Sequence, residues 1–120
     1  MMSKDAEPQH TSEKHRLQGN RESMDFVQQS ILDTMETLEY GERDLFAVRI
    51  AVEEAIANAV LHGHQGDQNR LFEISWSISS EVVTVTVFVP SFVQVVALSR
   101  RAVNMALHSV IMQHTKIRGQ

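Results

Sequence analysis

At 120 residues the chain is long enough for one small domain, and with 42% hydrophobic residues it can bury a core. Its 15 acidic residues outnumber 11 basic ones, giving a formal net charge of −4, which argues against a general nucleic-acid or anionic-membrane surface. It has no cysteine, hence no disulfide framework and no thiolate metal site.

The first 18 residues are polar and contain no apolar signal-peptide core. No apolar run approaches the roughly 20 residues that span a bilayer, so a soluble cytoplasmic protein is expected. Residues 1–13, with Pro8, read as a disordered arm. Lys14 to Gly19 reads as a short edge strand. Asn20 and Ser23 are candidate N-caps, and Met24, Val27, Ile31, Met35 and Leu38 then recur at helical spacing. That pattern predicts a helix from about Glu22 to Leu38, ended by Tyr40-Gly41. A second predicted helix runs from about Glu42 to His62 and stops at Gly63, read as its C′ residue.

His64 to Asn69 form a polar loop. His64 and Asp67, with His62, are not read as a metal site. Phe72 to Ile78 alternates strictly, which predicts a half-buried strand whose Phe72, Ile74, Trp76 and Ile78 face the helices. Ser79-Ser80-Glu81 forms a turn, and the β-branched run Val82 to Val89 predicts its hairpin partner, ended by Pro90. From about Phe92 to Gln113 the composition is helical, with few caps. These elements predict an α+β two-layer sandwich, helices on one face of a mostly antiparallel sheet. They divide the chain into an arm (1–13), a domain (14–89) and a tail (90–120).

The second helix carries the chemistry. At about 100° per residue, Arg49 and Glu53 form one polar stripe, an expected i,i+4 ion pair. Glu54, Asn58 and His62 form another, flanked by Ile50, Ala57 and Leu61, which suggests a partly desolvated setting on a cleft. A carboxylate and an amide one turn apart suit a general base beside a magnesium ligand, since Mg²⁺ takes oxygen donors. On spacing alone, an E-x-x-x-N pair is a weak motif, and the favoured reading is an exposed pair on a helix buried on its other sides.

The run from Phe46 to His64 resembles the N-box helix of anti-sigma-factor serine kinases, members of the GHKL superfamily shared with two-component histidine kinases and gyrase. The box E-[AE]-x-x-N-A-x-x-H-G is matched by Glu54, Asn58, Ala59, His62 and Gly63. The resemblance implies a histidine-kinase-like ATPase fold, with ATP and Mg²⁺ as cofactors. It implies Glu54 as catalytic base, Asn58 as magnesium ligand, and Asn58, Ala59 and His62 at the nucleotide. It further implies action on a sigma factor or a small anti-sigma-factor antagonist protein, and suggests a homodimer; the charge balance and hydropathy leave no nucleic acid or membrane among the expected partners.

The tail departs from that pattern. In the family the second hairpin strand leads into a D-x-G-x-G box whose Asp binds the adenine amino group, with a later G-x-G box. Here Val85-Thr-Val87 is followed by Phe88-Val-Pro-Ser-Phe-Val-Gln94, and residues 82–118 contain no acid and no glycine. Three accounts stand open: a domain that kept protein binding without catalysis, a nucleotide site rebuilt in another form, or a reading frame shifted near Val87 in a truncated kinase. On the last account the chain from about Phe88 onward is expected to pack poorly with the rest, apart from a local helix near Arg100 to His114.

Overall fold

Period-two alternation builds the sheet. In β2 (Leu71–Ser79), β3 (Val82–Val89) and β4 (Phe92–Ser99), every second side chain turns inward. Phe72, Ile74, Trp76 and Ile78 face the helices, as expected, alongside Val83, Val85, Val87, Val89, Phe92, Gln94, Val96 and Leu98; all twelve are buried. Small hydroxyl residues, Ser75, Ser77, Thr84 and Thr86, alternate with them on the opposite face. The three strands join β1 (His10–Gln18) and β5 (Ser109–Lys116) in one antiparallel sheet of order β1-β2-β3-β4-β5. This computed structural model describes residues 10–63, 65–90 and 92–100, together with the backbone of 109–116.

Two helices cover one face of the sheet, giving the predicted two-layer α+β architecture. α1 (Arg21–Thr37) starts where Asn20 Oδ1 accepts the Ser23 N–H at 2.9 Å, so Asn20 is the cap. Its Val27, Ile31 and Met35 are fully buried, with Met24 and Leu38 packed at the margin. The helix closes at Glu39, whose φ of 64° lets the Tyr40 N–H reach the Met35 carbonyl at 3.0 Å. The left-handed stop is therefore Glu39 rather than Gly41, which instead precedes α2 (Glu42–Asn58). α2 runs on through a π-helical turn, Ala59–Gly63. Among the described residues no helix is long and apolar enough to cross a membrane.

Three expectations are corrected. His10–Glu13, assigned to a disordered arm, lie in β1 and pair with β2 from His10↔Ser79 to Glu13↔Trp76. Residues 92–99, expected to pack poorly with the rest, do not stand apart from the fold: β4 pairs with β3 along its length, from Val89↔Phe92 to Val82↔Ser99, while residues 101–108 and 117–120 of the same expectation lie outside the described ones. Where a helix was expected, over Phe92–Gln113 and near Arg100–His114, the structure has the strands β4 and β5; residues 101–108 lie outside the described ones. The physical reason lies in the period of Phe92, Val96 and Leu98. It matches a strand laid on the open edge of β3 and needs no helix caps.

Arg100 fastens the end of β4. Its backbone N–H donates to the Glu81 carbonyl at 2.8 Å, and its Nη1 donates to the Ser80 carbonyl at 2.9 Å. Nη2 donates to the Glu39 carbonyl, and the guanidinium lies 3.9 Å from the centre of the Tyr40 ring. One cation thus joins the β2–β3 turn, the α1–α2 loop and β4. Arg100→Ala is expected to lower stability by about 2 kcal/mol in denaturant melts, with Arg100→Lys restoring only part of it. Wild-type stability in the alanine variant would show that β4 is not tethered there.

Tyr40 is buried, with its hydroxyl donating to the Ser79 carbonyl at 2.8 Å. Burial holds its pKa above the ordinary 10.0; Arg100 pulls it back, and Asp44 and Glu81 push it further up. The fold therefore favours the neutral phenol. That contribution is complete below pH 10.0 and is lost as pH rises through the folded-state value. Tyr40 is the chain's one tyrosine, so an alkaline absorbance titration reads it alone. The native midpoint should lie above that of the denatured chain; coincident midpoints would contradict the buried placement.

Candidate functional site

The inward arc of α2 is apolar: Val48, Ala51, Val52, Ala55 and Ile56 are buried, and Ala59 and Val60 continue the arc into the π-helical turn. Asp44 is buried as well, near the start of the helix. Of the two polar stripes, Arg49, Glu53, Glu54 and His62 are exposed and Asn58 is half-buried. Ile50, at 44% exposure, and Leu61, at 59%, lie open between them, so the expected desolvated cleft around Glu54 is not formed. The expected Arg49–Glu53 ion pair is also absent among the described residues, whose salt bridges lie elsewhere. Both side chains are exposed, where such a pair contributes little.

Glu54 is exposed and makes no hydrogen bond or ion pair with the described residues. One turn on, Asn58 is half-buried, and its Nδ2 donates to Gln94 Oε1 on β4 across a long 3.4 Å. His62 is exposed, its ring centre 6.2 Å from that of Phe92. Ala59 is fully buried in the core and has no surface to offer a ligand. Gly63, expected as a left-handed helix stop, has no positive φ. It serves close approach instead: a Cβ there would lie 2.3 Å from Val89 Cγ2. The structure thus brings Glu54, Asn58 and His62 to one helix edge, and sets the β3–β4 hairpin against the end of that edge.

Sequence reasoning missed Gln94. It is fully buried, and its Nε2 has no hydrogen-bond partner among the described residues. The signal was present: one polar residue at an inward position between Phe92 and Val96.

An ATP held as the resemblance implies needs an acid for the adenine amino group and glycines for close backbone approach, directly after β3. At that place Pro90 turns the chain and β4 runs back, with Phe92 and Gln94 pointing at the helix end. The Asn58 carbonyl and the Glu54 carboxylate remain oxygen donors of the kind magnesium takes. The metal half of such a site therefore fits these residues and the adenine half does not.

A buried amide without a partner destabilises. Gln94→Leu, close in volume, is expected to leave stability unchanged or raise it by up to about 2 kcal/mol in denaturant melts. A clear loss would show that the Asn58 contact outweighs the orphaned Nε2.

No curated protein matches the chain. A family model does: the histidine kinase-like ATPase domain, over residues 17–89, which is more than half of the chain. The match runs from the end of β1 across α1, the Glu54–Asn58 helix and β2, and stops with β3. The family implies ATP binding in general terms, and the α+β arrangement found here is the one expected of it. The chain belongs to the histidine kinase-like ATPase domain family.

Proposed function

We propose that this protein is a regulatory binding module of the anti-sigma type, which recognises a sigma factor or a small anti-sigma-factor antagonist protein without phosphorylating it. The observation that carries this reading is the β3–β4 hairpin on the end of the N-box helix. Gly63 is seated on Val89, His62 lies beside Phe92, and Asn58 faces Gln94. These contacts are made by residues at and after the end of β3, where the resemblance expects the adenine-binding box. The module keeps the family's surfaces and forgoes its chemistry.

A second reading, an ATP-dependent serine kinase acting on the antagonist, is favoured by one feature. Glu54 is open to solvent, one turn from an amide whose carbonyl is free to take a metal. In that reading Glu54 accepts the proton of the attacking serine hydroxyl and Asn58 holds magnesium.

Calorimetric titration of the full chain with ATP and Mg²⁺ separates the two. The binding module shows no saturable heat, and still captures a purified sigma factor or antagonist in a pull-down. Saturable binding whose magnesium dependence weakens in Asn58→Ala would replace it with the kinase. Glu54→Ala would then spare nucleotide binding and abolish transfer to the antagonist.

A further inference from the structure

We propose that the groove between α1 and α2 is the docking surface for a basic amphipathic helix of the partner protein. The inference deepens the binding-module reading and rests on it. The groove has a volume of 780 Å³ and follows α1 from Arg21 to Glu36 and α2 from Glu42 to Glu53. At 1.5 Å per residue it is about 22 Å long, room for about four turns of a docked helix.

Its floor is apolar. Met24, Leu32 and Leu45 are partly buried, and Phe46 stands 65% exposed at the lip. With Met24, Leu32 and Leu45 it lines the same groove and carries the apolar floor out to the surface. Its sides are acidic: Asp25, Asp33, Glu36, Glu42 and Glu53 face Arg21 and Arg49, an excess of three negative charges. Gln28, at the base, is 8% exposed; its Nε2 donates to the Arg49 carbonyl at 2.9 Å. Its Oε1 is buried and has no hydrogen-bond partner among the described residues.

An apolar floor between carboxylates is complementary to a helix with leucine-type anchors at i, i+3, i+4 and i+7 and lysine or arginine along its flanks. The same charges disfavour a second copy of this chain, which would bring its own net −4 to the contact.

The test titrates the full chain into a fluorescent synthetic helix of leucine and lysine with that spacing, followed by anisotropy, beside a peptide with glutamate in place of lysine. The lysine peptide should bind saturably, more weakly as salt rises. Its affinity should fall at least about tenfold in Asp25→Lys/Glu36→Lys, and also in Phe46→Ala. All three residues are exposed, and circular dichroism checks that each variant is folded. Equal affinity for the glutamate peptide, undiminished binding by both variants, or a dimer in sedimentation that Phe46→Ala dissolves while no peptide binds, would overturn the proposal.

Pull-downs of the sigma factor or antagonist with the charge-reversed chain separate the two levels. Capture lost supports the groove. Capture retained overturns the groove and leaves the binding module standing. A wild-type chain that binds the peptide but captures neither protein supports the groove's charge preference and overturns the module's assigned partners.

Discussion

The architecture at the functional end depends on how closely a hairpin can approach a helix. Gly63 has no Cβ, and one placed there would lie 2.3 Å from Val89 Cγ2 and 3.6 Å from Phe92 Cβ. Any side chain would push the β3–β4 turn away. With glycine, the turn settles against the π-helical segment, Phe92 comes beside His62, and Gln94 comes under Asn58. At the opposite end of β4, Arg100 holds the strand to two separate loops. β4 is thus fixed at both ends, and between them its Val96 and Leu98 complete the core.

That constraint has a functional consequence. The resemblance implies roles for Glu54 and Asn58 on this helix; Glu54 stays exposed, while Asn58 and His62 are faced by Gln94 and Phe92 of this chain's own β4. Catalytic use of the pair would need a phosphate donor held beside it, and the residues after β3 that would hold the base of that donor are replaced by Pro90 and an apolar strand. What the fold does present is surface. The exposed side of α2 carries Phe46, Ile50 and Leu61 among carboxylates, and α1 adds more acids across the groove. A negative, partly apolar helix face is complementary to a basic protein element, which is the basis of the docking proposed above.

Much of this was legible in the sequence. The helical spacing of Val27, Ile31 and Met35 and the alternation from Phe72 to Ile78 each have one dominant period, and each element formed as that period predicts. Failures came where two readings share a pattern. The apolar run from Phe92 to Leu98 lacks caps and turn signals, so composition pointed to a helix. The deciding influence was tertiary, the open edge of β3 offering a partner. The same influence drew His10–Glu13, polar and without a strand pattern, into pairing with β2. In the site, the stripe of Glu54, Asn58 and His62 was visible, but the covering of Asn58 depends on a residue 36 positions away, which periodicity within one helix does not report. Gly63 was singled out for the wrong property: its value is lack of bulk, not freedom of φ.

The central claim is that β4 is an integral strand closing over the end of the N-box helix. Backbone hydrogen exchange read by mass spectrometry, comparing peptides that cover 92–99 with those that cover 72–78, tests it most directly. Amides of β4 should exchange as slowly as those of β2, opening only with global unfolding. Exchange of 92–99 at the rate of an unfolded chain, with 72–78 still protected, would contradict the account and leave the Asn58 edge of the helix uncovered.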